Sequence, residues 1–122
     1  MTDKTAPWPT ELRVSKDRRV LSVAFDSGER HDLSAEYLRV CSPSAEVKGH
    51  APSQKQTVPG KRQVEIMKIE PVGNYAVRIH FDDMHNSGIF SWTYFLELGR
   101  DRQTHWDGYL GELEQKGLRR DR

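Results

Sequence analysis

Four runs of alternating apolar and polar residues are spread along this chain, and turn residues cut each run short. Glu11-Leu12-Arg13-Val14-Ser15 is the first. Val20-Leu21-Ser22-Val23-Ala24-Phe25 is the second, with Leu21, Val23 and Phe25 on one face. Side chains on a strand alternate between its two faces, so this pattern describes half-buried strands rather than helices. The polar group Lys16-Asp17-Arg18-Arg19 separates the first two runs, and Asp26-Ser27-Gly28-Glu29 leads into a short third strand, Arg30-His31-Asp32-Leu33. These segments read as a β-meander. Later, Val64-Glu65-Ile66-Met67-Lys68-Ile69-Glu70 and Tyr75-Ala76-Val77-Arg78-Ile79-His80-Phe81 alternate around a Pro71-Val72-Gly73-Asn74 turn. The second of these places Tyr75, Val77, Ile79 and Phe81 on the core side.

Helical signals occupy the gaps. Ser34 is placed to cap a short helix through Val40, with Tyr37, Leu38 and Cys41 inward. Ser91 caps another, carrying Trp92, Phe95 and Leu96. A last amphipathic helix runs over 104–116, with Trp106, Tyr109, Leu110 and Leu113 on one stripe and Gly117 as its stop. The expected fold is therefore α+β: a small antiparallel or mixed sheet of about five to six short strands, a short helix after the third strand, and two C-terminal helices packed on the sheet. Residues 1–9, with Pro7 and Pro9 around Trp8, form a flexible arm, residues 10–117 one domain, and residues 118–122 a frayed tail. The segment 42–62 is rich in Pro, Gly and polar residues and reads as a long loop, a length that is often functional.

Composition narrows the function. The chain has 19 Lys and Arg against 18 Asp and Glu, a formal charge of +1. Nucleic-acid and membrane-surface partners normally demand a basic excess, and this balance supplies none. With one cysteine, Cys41, there is no intrachain disulfide, as fits a reducing compartment. No run approaches the roughly 20 apolar residues of a membrane span, and no signal-peptide core is present at the N-terminus, so the expected location is the cytoplasm.

The candidate chemistry is sparse. His80-Phe81-Asp82 matches the H-x-D half of an iron facial triad, with His31, His50, His85 or His105 as a third ligand. Such an oxygenase needs a double-sheet barrel around its iron, which about six short strands cannot build. Asp82, Asp83 and His85 crowd one turn that could hold a cation weakly, but the favoured reading is turn-forming Asp with the His bonded to local backbone. Cys41 has no neighbour in sequence that would lower its pKa. Gly60-Lys61 lacks the spacing of a phosphate-binding loop, and no catalytic set emerges.

The residues do resemble a family. Residues 38–50 (LRVCSPSAEVKGH), Val64-Glu65-Ile66, Glu70-Pro71-Val72-Gly73-Asn74-Tyr75-Ala76, and above all Asp83-Met84-His85-Asn86-Ser87-Gly88-Ile89-Phe90-Ser91-Trp92 are similar to the DUF971 family, the gamma-butyrobetaine hydroxylase-like N-terminal domain. The resemblance covers about residues 10–113. It implies a module that precedes an oxygenase domain or accompanies iron–sulfur carriers, with a zinc site of three cysteines and a histidine. The cysteine positions fall on Ser42, Ser44 and Val47, with Cys41 one place out of register, and the histidine falls on His85. With one ligand of four retained, the resemblance implies no zinc here and no catalytic residue. The expected function is a non-enzymatic accessory or protein-interaction module without a cofactor, serving an iron–sulfur or oxygenase partner. Its interaction surface would draw on Arg39, Asp83, His85, Ser87 and Trp92. The alternative is a zinc- or iron-binding protein, or an oxidoreductase component, using His85 with Asp83 or His80.

Overall fold

The computed structural model describes residues 7–43 and 57–121. Residues 1–6 of the expected arm 1–9 and residues 44–56 of the expected loop 42–62, His50 among them, lie outside the described residues, while Pro9 of that arm opens the first strand. Six strands and three helices occupy the described residues: β1 (Pro9–Val14), β2 (Val20–Phe25), β3 (Arg30–Ser34), α1 (Ala35–Val40), β4 (Ile66–Val72), β5 (Ala76–Phe81), β6 (Ile89–Ser91), α2 (Trp92–Arg100) and α3 (Arg102–Lys116). The α+β class and the order of elements are those the sequence predicts. The strands do not share one sheet, however. They form two three-stranded antiparallel sheets, β1-β2-β3 and β4-β5-β6, each a meander of neighbours in sequence.

Period-two burial drives both. Leu21, Val23 and Phe25 of β2 are buried while the residues between them are not, and Val77, Ile79 and Phe81 of β5 behave alike. Their apolar faces meet in one core with Leu33, Ile66, Phe90, Phe95 and Leu98. Burying such side chains contributes roughly 1.5–3 kcal/mol each, which is what draws two small sheets together. Arg18 joins the sheets through polar contacts. Its carbonyl accepts from Ile66 N–H at 2.8 Å, and its guanidinium reaches the carbonyls of Ile66 and Met67.

Local chemistry sets the helix ends. Ser34 Oγ accepts from Tyr37 N–H at 3.0 Å and Ser91 Oγ from Tyr94 N–H at 3.1 Å, each satisfying a first-turn donor. Gly117, at φ 65°, closes α3 in the left-handed conformation. Tyr109 and Leu113 of α3 pack on Val40 in a second, smaller cluster.

Four details depart from the expectation. β4 extends through Pro71 to Val72; as an edge strand it tolerates a residue without an N–H. Tyr75 belongs to the turn before β5 and is 54% exposed, while its carbonyl accepts from Trp92 N–H. Leu110 lies on the exposed side of α3. Residues 119–120, expected to fray, are held: Gly60 N–H donates to Arg119 O at 2.8 Å and Arg62 N–H to Arg120 O at 3.1 Å.

Candidate functional site

The polar cluster of the molecule is assembled where β5 turns toward β6. Phe81 N–H donates to His85 O at 3.0 Å and Met84 N–H to Phe81 O at 3.2 Å, making a three-residue loop with Met84 at φ 74°. Residue 82 anchors the loop to the approach of β4, since Asp82 N–H donates to Glu65 O at 2.9 Å and Glu65 N–H to Asp82 Oδ1 at 3.1 Å. These bonds aim Asp83 and His85 inward against α1 and the residues after it.

Asp83 is the hub. Its Oδ2 accepts from Arg39 Nε at 2.7 Å and from Lys61 Nζ at 2.6 Å, and its Oδ1 from His85 N–H at 3.1 Å. Burial alone would raise its pKa, but the hydrogen bonds from Lys61, Arg39 and the His85 amide outweigh burial and hold it down at about 2. His85 Nε2 shares a 2.8 Å hydrogen bond with Ser42 Oγ, and its ring tilts against Phe81. Ser42 is 0%, Arg39 3% and His85 4% exposed. Gly88 closes the site from β6's side: a Cβ there would collide with Ser42 Oγ.

Of the five residues expected to form an interaction surface, the structure brings Arg39, Asp83 and His85 together, but in the interior. Arg39 is buried because α1 is covered on every side, and a short helix so placed cannot turn a charged side chain to solvent. His85 is buried where the β5–β6 turn sets it against Ser42 and Phe81. Ser87 is exposed, and Trp92 is half-buried with its indole N–H donating to Asn74 O at 3.0 Å.

Among the described residues the H-x-D pair does not converge with a third histidine. His80 Nε2 is bonded to Glu70 at 3.0 Å and Asp82 serves the Glu65 amide. His31 is bonded to Glu29 at 2.7 Å, and His105 lies 3.4 Å from Glu97. Among the described residues no group of three or more His, Cys, Asp or Glu is placed to hold a metal ion.

The zinc positions implied by the resemblance can be followed in part. Ser42 is beside His85, so the fold brings these two together, but as hydroxyl and imidazole rather than thiolate and imidazole. A neutral hydroxyl is a poor zinc ligand, and here it is committed to the histidine. Ser44 and Val47 lie outside the described residues; by identity neither supplies a sulfur or nitrogen. Cys41 is partly buried one residue away, and its carbonyl accepts from Tyr94 O–H at 2.6 Å. The donor set does not fit zinc.

Sequence reasoning did not foresee Lys61, which arrives from the far end of the loop segment. It also missed the burial of Arg39, whose only signal was a charge between the apolar residues Leu38 and Val40. Beside the site opens a cleft of about 320 Å³, whose lining includes Lys61, Arg62, Asp82, Asp83, Arg120 and Asp121. Its cations are paired: Lys61 with Asp83, Arg62 with Asp121 at 2.6 Å, and Arg120 with Glu36 at 2.7 Å.

Comparisons with known proteins agree with this fold. The family described as gamma-butyrobetaine hydroxylase-like, N-terminal, matches residues 12–96. Two NMR solution structures share the fold, one at 39% identity and the other at 40%, both with a TM-score of 0.81; they cover 95% and 98% of this chain, and 91% and 90% of their own. A crystal structure of a DUF971 protein of unknown function from Acidithiobacillus ferrooxidans is similar at 38% identity and TM-score 0.65, covering 80% of this chain and 98% of that one. Among curated proteins no relative matches. With the match spanning well over half the sequence, and the same fold in relatives of this identity, the chain belongs to the gamma-butyrobetaine hydroxylase-like N-terminal family, DUF971.

Proposed function

We propose that this protein is a non-enzymatic accessory or interaction module, working on behalf of an iron–sulfur or oxygenase partner. The observation that carries the reading is the buried Ser42–His85 hydrogen bond, which stands where the family resemblance places two zinc ligands. A serine 2.8 Å from a histidine is also the geometry of a nucleophile and its base. Catalysis would need a reacting atom beside Ser42 Oγ, and Ser42 is fully enclosed with Gly88 packed against it. Asp83 is equally committed, to two cations and an amide. The cluster therefore serves as a strut that fixes α1 and the 60–62 segment against the β5–β6 turn, and contacts with a partner fall to exposed residues of that turn, Ser87 and Met84.

The test has two arms. Purified, tag-free protein is analysed for zinc and iron, and its thermal melt is recorded with and without each metal. Metal well below one equivalent per chain and an unmoved melting temperature are expected, because nothing binds the native state preferentially. Stoichiometric metal lost on His85→Ala would reverse the reading in favour of a metal protein. In the second arm the protein is mixed with a purified iron–sulfur carrier and with an oxygenase domain. Saturable binding to one of them, weakened by Ser87→Arg, is expected; no binding to either overturns the partner assignment.

A further inference from the structure

A second buried carboxylate lies apart from the Asp83 hub. Glu36, on α1, is 6% exposed, and Arg120 grips it with two parallel hydrogen bonds, Nε to Oε2 at 2.8 Å and Nη2 to Oε1 at 2.7 Å. The same guanidinium lies over the Trp106 ring, 5.1 Å from its centroid. Trp106 is itself fixed by Tyr37, edge-on at 6.2 Å, and by Tyr109 at 5.4 Å. A forked carboxylate plus an aromatic face is the combination that selects arginine over lysine, because only the planar guanidinium satisfies both.

The arginine that fills this place belongs to the last residues of the chain. Beyond Gly117, residues 119–121 are otherwise held by two backbone hydrogen bonds to Gly60 and Arg62 and by the exposed Arg62–Asp121 ion pair. Exposed ion pairs contribute little; among the described residues Arg120 carries the segment's part-buried forked ion pair and its aromatic contact. Trp106 also borders a cleft of about 340 Å³ with Tyr37 and Gln103.

We propose that Glu36 and Trp106 form a guanidinium-recognition site which Arg120 occupies in cis, and that an arginine-bearing segment of a partner protein binds there by displacing residues 118–121. The proposal rests on the interaction-module reading for the existence of a partner; the site itself stands on its geometry, and its test uses a peptide, so the two can fail separately. The probe is the tail's own sequence, the blocked peptide Leu-Arg-Arg-Asp, titrated into the full chain carrying Arg120→Ala and followed by tryptophan fluorescence and the Trp106 indole resonance. Binding at least ten-fold tighter than to wild type, and at least ten-fold tighter than for Leu-Lys-Lys-Asp, is expected. A folded Arg120→Ala chain that binds neither peptide, or both equally, overturns the proposal. Should that variant not fold, hydrogen exchange of the Gly60 and Arg62 amides in wild type decides. Arginine amide, but not lysine amide, must accelerate both, and no acceleration overturns the proposal. A wild-type dimer that Arg120→Ala abolishes would assign the site to tail exchange between copies and overturn the partner's role.

Discussion

Loops 26–28 and 82–84 close with the same hydrogen bonds. In the first, Phe25 N–H donates to Glu29 O at 2.8 Å and Gly28 N–H to Phe25 O at 2.9 Å; in the second, Phe81 N–H donates to His85 O at 3.0 Å and Met84 N–H to Phe81 O at 3.2 Å. Both place their third residue at positive φ, 94° at Gly28 and 74° at Met84. Glycine adopts that conformation freely, whereas methionine meets a steric penalty of roughly 1–2 kcal/mol. Loop 26–28 is exposed, has one backbone tie outside the hairpin, Asp26 N–H to Trp8 O at 2.9 Å, and carries in Gly28 a residue that suits its backbone. Loop 82–84 takes its shape against its sequence, held by Arg39 and Lys61 on Asp83, by Glu65 on Asp82, and by the Ser42–His85 bond beyond it. A turn residue that contradicts its backbone marks the place where tertiary contacts do the shaping.

Breaking the clamp should have the largest effect. Arg39→Ala leaves Asp83 part-buried with Lys61 as its one remaining cation among the described residues, and a loss of about 3–5 kcal/mol is expected from denaturant titration. Ser42→Ala removes the buried hydroxyl that bonds to His85 and should cost about 1–3 kcal/mol, read the same way. Acid sharpens the contrast further. Asp83 has its folded pKa depressed to about 2 from 3.8. Its contribution is therefore complete above pH 4 and is lost as pH falls toward 2. Wild type should lose stability over that window more steeply than Asp83→Asn, as melts at successive pH values would show. The smallest effects have opposite signs. Gly28→Ala should destabilise by about 1 kcal/mol through backbone strain alone, since no atom lies within 4 Å of the new Cβ. Met84→Gly should stabilise by about 0.5–1 kcal/mol, because the side chain is 86% exposed and its removal relieves strain at little cost in packing. Equal and unfavourable changes at both positions would remove the distinction between the loops.

Much of the fold was legible. The alternation in 20–25 and 75–81 located β2 and β5, and Ser34, Ser91 and Gly117 marked helix ends, because each signal acts within a few residues. Tyr75 was misread since period two does not say where a strand begins. The candidate site was legible only as a resemblance around His85. Asp83 meets Arg39 and Lys61 across 44 and 22 positions of chain, and neither partner carries a local mark of that meeting.

By itself the sequence determined the α+β class, the short strands, the helix caps and the absence of sulfur at Ser42, Ser44 and Val47. These depend on side-chain identity and on interactions between near neighbours. Only the tertiary structure decided that the strands divide into two sheets, that Ser42 and His85 share a buried hydrogen bond, and that Glu36, Arg39 and Arg120 are paired rather than solvated. A charged residue reads the same in sequence whether water or a partner surrounds it, and its partner is set by the packing of elements far apart in the chain.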